Sequence, residues 1–79
     1  MYKLHHIQNI VERVFIFNET NKESIYRIEM TFSDRYINLY FFEGMTASEK
    51  IVHPYGSKAL MPWIDSFFKR CELMTKEKK

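Results

Sequence analysis

Apolar and polar positions alternate with period two through the middle of the chain and with a helical period near its end. From Ser24 to Phe32 the even positions Tyr26, Ile28, Met30 and Phe32 are apolar. The odd positions Arg27, Glu29 and Thr31 are polar, with Ile25 the exception. Such alternation predicts a half-buried strand. From Arg35 to Glu43 the odd positions Ile37, Leu39 and Phe41 are apolar, while Tyr36, Asn38, Tyr40 and Phe42 form the other set.

Parity constrains how these two strands pair. Opposite residues of an antiparallel pair share a face, so even must meet odd for the two apolar sets to coincide. A two-residue Ser33-Asp34 loop achieves this, pairing Met30 with Ile37, Ile28 with Leu39, and Tyr26 with Phe41. A four-residue loop keeps the same faces matched, so the exact turn stays open. On the opposite face the expected pairs are Thr31 with Tyr36, Glu29 with Asn38, Arg27 with Tyr40, and Ile25 with Phe42.

The segment from Ile7 to Phe17 carries Ile10, Val11, Val14, Phe15, Ile16 and Phe17. That β-branched and aromatic content reads as a strand apolar on both faces, with either parity possible for the core. Asn18 to Glu23 reads as a polar connection. Met45 to Ser48 reads as a loop, and Glu49 to His53 as a candidate fourth strand. His53-Pro54-Tyr55-Gly56 has the Pro and Gly placement of a turn. Ser57 suits a capping turn and Pro62 the first turn of a helix, where its missing N–H costs nothing. Leu60, Ile64, Phe67, Phe68, Cys71 and Met74 then recur at helical spacing, with Asp65 and Lys69 on the other side. Residues 75–79 are expected to fray. The expectation is one α+β domain over residues 1–79: an antiparallel meander of three to four strands with one C-terminal helix on the Ile28/Leu39 face.

Composition sharpens this picture. The chain has 79 residues, 46% hydrophobic and 28% charged, with seven Phe, five Tyr and one Trp. Each aromatic can bury roughly 150–250 Å², more than one helix on a small sheet easily hides. A second face that meets something else follows. Net charge is only +2, short of the strongly basic face that nucleic-acid binding calls for. The excess sits in residues 57–79, with six basic and three acidic side chains, as in a solvated helix whose last turn complements its dipole. One cysteine, no signal-peptide pattern and no run of about 18 apolar residues suit a soluble cytoplasmic protein without a membrane span.

Catalytic signals are missing. Gly44 and Gly56, the two glycines, stand at separate turns, so no phosphate loop exists. His5 and His6 would point to opposite faces of a strand, and no Cys pair accompanies them, so no metal or cofactor is expected. Cys71 falls on the apolar helical stripe and reads as a buried structural thiol. Trp63 lies on a flank of that helix, as rim packing or as an interaction anchor. The informative set is Tyr36, Tyr40 and Phe42 beside Arg27 and Asn38. Tyr, Phe and Arg with sparse charge suit a protein-binding patch, and Lys69 and Arg70 on the helix would add a secondary polar contact. The same aromatics could stack the bases of single-stranded nucleic acid, or a homodimer could form through this face or an exposed edge strand. A third alternative covers the face with Tyr2 or the loop around Tyr55.

The reading is therefore a non-catalytic interaction protein acting by steric occlusion, with a protein as partner. A composition rich in Lys, Ile and Asn fits an AT-rich bacterial or phage gene. In size and in sheet-plus-helix build the chain is similar to small phage-encoded inhibitors of host machinery, anti-CRISPR proteins among them; the likeness is one of class, carried by no motif.

Overall fold

The computed structural model describes residues 2–77, with side chains over 5–76. In chain order it holds α1 (Tyr2–Thr20), β1 (Tyr26–Ser33), β2 (Tyr36–Glu43), β3 (Thr46–Pro54) and α2 (Leu60–Glu77). The three strands form one antiparallel meander in the order β1-β2-β3. Both helices pack on the same face of the sheet, giving two layers around one core.

The apolar alternation predicts the core face correctly. Ile28, Ile37, Leu39, Phe41 and Ile51 are buried beneath the helices, with Tyr26 and Met30 packed at the margin. Phe41 anchors it, edge-on to Phe17 at 6.0 Å and stacked on Tyr26 at 5.8 Å. From α2, Leu60, Ile64, Phe67, Phe68 and Cys71 fill the space above β2 and β3, the predicted stripe. Its first turn is organised by Ser57, whose Oγ accepts from Ala59 N (3.1 Å) and whose carbonyl accepts from Leu60 N (3.2 Å). Pro62 follows where no helical N–H is needed. Helix α2 runs on through residues 75–77 instead of fraying at 75; residues 78–79 lie outside the described part.

The N-terminal segment is a 19-residue helix, not a strand. As a strand, residues 7–17 would need burial on both faces. As a helix they bury Ile10 and Phe17 and half-bury Val14, at i, i+4 and i+7 from Ile10, while Val11 (44%), Phe15 (64%) and Ile16 (61%) turn outward. The helix ends where the Asn21 side chain and backbone N–H both donate to Phe17 O, at 2.8 and 3.0 Å. Asn18, expected in the connection, is inside α1 and brackets Ile28: its Nδ2 donates to Ile28 O (2.9 Å) and its Oδ1 accepts from Ile28 N (2.8 Å). An amide thus replaces a neighbouring strand at the outer edge of β1, which blunts that edge.

Register is shifted by two residues from expectation. Ser33 opposes Tyr36, so Asp34-Arg35 form the loop, and Ile28 meets Phe41 while Met30 meets Leu39. A shift of two leaves every side chain on its predicted face. Asp34 supplies the positive φ (54°) the tight turn requires, a conformation Asp tolerates better than most residues. The second hairpin turns at Gly44 (φ 67°) and Met45, so Met45 to Ser48 is a turn plus the start of β3 and not a loop. Beyond it the register slips between Phe41 and Phe42, leaving Ser48 as the extra residue of a bulge.

Arg13 ties the helices together. It pairs with Asp65 and lays its guanidinium over the Phe68 ring, 4.5 Å from the centroid.

Candidate functional site

With both helices on one side, no other element among the described residues packs on the opposite face of the sheet. The central strand β2 presents Tyr36, Asn38, Tyr40 and Phe42 there. β1 flanks them with Ser33, Thr31, Glu29 and Arg27, and β3 with Pro54, Val52, Lys50 and Ala47, read along the same register lines. Tyr36 is 44% and Val52 48% exposed, and Tyr40 and Phe42 are half-buried. The covering loop considered above goes elsewhere: Tyr55 packs on the core side, edge-on to Phe32 at 6.1 Å. The Tyr2 side chain lies outside the described residues.

Polar neighbours hold the aromatics in place. Arg27 stands over the Phe42 ring at 4.2 Å, pairs with Glu29 at 2.9 Å and donates to Gly44 O at 3.0 Å. Each exposed contact of this kind is worth about 0.5–1 kcal/mol, enough to orient the guanidinium flat on Phe42 without locking it. Phe42 in turn leans on Tyr40, ring centroids 6.4 Å apart. Asn38 is 7% exposed and donates from Nδ2 to Ser33 Oγ (3.1 Å) and Thr31 Oγ1 (3.3 Å). It is a recessed clamp between β2 and β1, so the directional contacts expected of Arg27 and Asn38 are made within the chain.

Five of the seven residues singled out in the sequence therefore share one face. The other two do not join them. Lys69 and Arg70 belong to α2, in the layer on the far side of the sheet, and Arg70 is engaged with Glu49 (3.5 Å) and Ser66 (3.0 Å). No flat partner seated on Tyr40 would reach Lys69. Two contributors were missed, Lys50 and Val52. They belong to β3, and their signal was the alternation of Lys50 and Val52 with Ile51 and His53.

The helix layer offers a second concavity. A groove of about 760 Å³ opens between the C-terminal halves of α1 and α2, floored by Phe17, Tyr26 and Phe68, with Arg13, Glu72 and Lys76 on its rim. Its rim mixes both charge signs. Cys71 lies buried nearby, its thiol pushed up to about 12 by burial first and then by the negative charge of Glu49 and Glu72, against the opposing pull of Arg70. The rings of His53 and Trp63 lie 5.2 Å apart, tilted by 30°, and Trp63 is 51% exposed, a rim position. Among the described residues no three His, Cys, Asp or Glu side chains gather as a metal site, and no helix is long and apolar enough to cross a membrane.

Compared with known protein families, curated proteins and solved structures, the chain matches none.

Proposed function

We propose that the protein is a non-catalytic interaction module that docks the uncovered face of its sheet onto another protein. The observation that carries this reading is the row Tyr36, Tyr40 and Phe42 on the central strand, left without a covering element among the described residues while both helices crowd the other face. Tyr and Arg beside apolar surface, with little free charge, are the composition of a protein-binding patch. On a chain this short, occupying a partner's surface suits steric occlusion, the action of a small inhibitor of a larger assembly.

Size refines the proposal. Three strands about 4.8 Å apart and eight residues long at about 3.4 Å each give a flat face of about 400 Å². A standard interface takes about 800 Å² per partner. The partner therefore also wraps a rim, and the β2–β3 hairpin end supplies apolar extension there, with Met45 96% and the adjoining Ile25 60% exposed.

Single-stranded nucleic acid fits less well. Arg27 is already engaged with Phe42, Glu29 and Gly44, so the cation nearest the aromatics is committed within the chain and is not free for a phosphate.

The test is Tyr40→Ala combined with Phe42→Ala, both outside the core. Immobilised wild-type and variant chains are offered a nuclease-treated extract of the native cell, with Phe15→Ala on the outer side of α1 as control. The double variant should lose the captured partner and Phe15→Ala should keep it. Undiminished capture by the double variant, with its fold intact by circular dichroism, would overturn the reading.

A further inference from the structure

The uncovered face is self-complementary in its charges, and we infer that a second copy of this chain docks on it through a twofold axis lying along β2. The inference rests on the reading of this face as a docking surface and names one occupant for it. Register lines cross the sheet perpendicular to the strands. One line joins Glu29 on β1, Tyr40 on β2 and Lys50 on β3. Glu29 and Lys50 are both exposed. Glu29 already pairs with Arg27 through one carboxylate oxygen at 2.9 Å, which leaves its other oxygen to a second cation, and Lys50 takes part in none of the ion pairs among the described residues.

A twofold rotation about the β2 axis lays a second sheet face to face on the first. Position along the strand is unchanged, and left and right are exchanged, so β1 of one copy lies over β3 of the other. Glu29 of each copy then faces Lys50 of its partner, twice, once on either side of a central Tyr40–Tyr40 contact. The same operation sets the small Ala47 of one copy over Arg27 of the other, and Phe42 over Phe42. The twist of the sheets turns aligned layers by about 30°, which displaces flanking side chains by only a few ångströms at one strand spacing from the axis. An isologous contact of this kind requires each residue to meet its counterpart under the axis, and this row does.

The edges of the sheet point the same way. Asn18 occupies the backbone groups of Ile28 at the β1 edge. At the β3 edge the bulge at Ser48 and the missing N–H of Pro54 bracket a short run around Lys50 and Val52. Continuous strand addition is thereby obstructed at both edges, which favours the broad face of the sheet over its edges for self-association. Its flat area of about 400 Å² per copy is at the low end for interfaces, so the dimer dissociates on dilution and competes with a heterologous partner for the same face.

The experiment is sedimentation of the intact chain over a concentration series at low salt. Wild type should show a monomer–dimer equilibrium. Glu29→Lys alone places two lysines opposite each other at both rims, and Lys50→Glu alone places two glutamates there; each should weaken the homodimer about tenfold. An equimolar mixture of the two variants restores opposite charges at both rims and should dimerise at least as well as wild type. A wild type that stays monomeric at the highest concentrations would overturn self-docking, while capture by the Tyr40→Ala/Phe42→Ala pair separately decides whether the face docks anything. Dimerisation indifferent to both charge variants, or a mixture no better than its components, would overturn this axis.

Discussion

At the scale of single residues, the side chains with chemical potential are turned to structural use. Cys71 is fully buried on the inner stripe of α2, and its thiol is held protonated, up to about 12, chiefly by burial. It is no thiolate nucleophile at neutral pH. The same shift has a consequence for stability. Below about pH 9, its ordinary value, the thiol is protonated in folded and unfolded chains alike, and its contribution is fully present. Between about 9 and about 12 the unfolded chain ionises there and the folded chain does not, so stability falls as pH rises through that window. Urea titrations at pH 8 and pH 10.5 should show a larger loss for wild type than for Cys71→Ala; equal losses would show that Cys71 titrates normally. Arg27 and Asn38 follow the same pattern of inward use. Their residue types and face were legible from alternation, but their partners were not. Whether an amide points out or donates to Thr31 and Ser33 depends on a register that parity leaves open by two.

At the scale of elements, α1 is the instructive case. The run Val14-Phe15-Ile16-Phe17 has strand-like composition, and propensity alone favours a strand. Tertiary packing decides otherwise. Ile10, Val14 and Phe17 form a helical stripe over β1 and Phe41, and the outward Val11, Phe15 and Ile16 obscure that stripe in the sequence. The two assignments differ in a measurable way at Val11, which is 44% exposed. Val11→Ala in a helix should be neutral or stabilising by up to about 0.6 kcal/mol, whereas in a strand it would destabilise. Chemical unfolding of the variant, read by its midpoint, settles the sign. By contrast β1, β2 and α2 were legible because each keeps one clean period and one buried side. The start of β3 was not, because Thr46, Ala47 and Ser48 are exposed and small, and the bulge at Ser48 breaks the alternation that would have marked them.

At the scale of the whole molecule, the order α-β-β-β-α puts two helices on one face of a three-stranded sheet, and no element among the described residues covers the other. The aromatic surplus in the sequence points to a second face that meets something else, and the strand reading of residues 7–17 undercounted the helices. A second helix does not remove the surplus, because both helices are spent on Ile28, Leu39 and Phe41. It does relocate part of it: Phe15 and Ile16 on α1 are now the rival apolar surface, individually more exposed than Tyr36. They are flanked by Glu12 and Glu19 on a narrow helix, whereas the sheet presents Tyr36, Tyr40, Phe42 and Val52 across two adjacent strands. The central claim is that docking uses the sheet. Its most direct measurement is site-specific photo-crosslinking in the native cell, with a benzophenone side chain placed at Tyr40 in one chain and at Phe15 in another. A discrete adduct, to a partner protein or a second copy, is expected from position 40 and not from position 15. Adducts from position 15 with none from position 40 would contradict the account and move the docking surface to the outer side of α1.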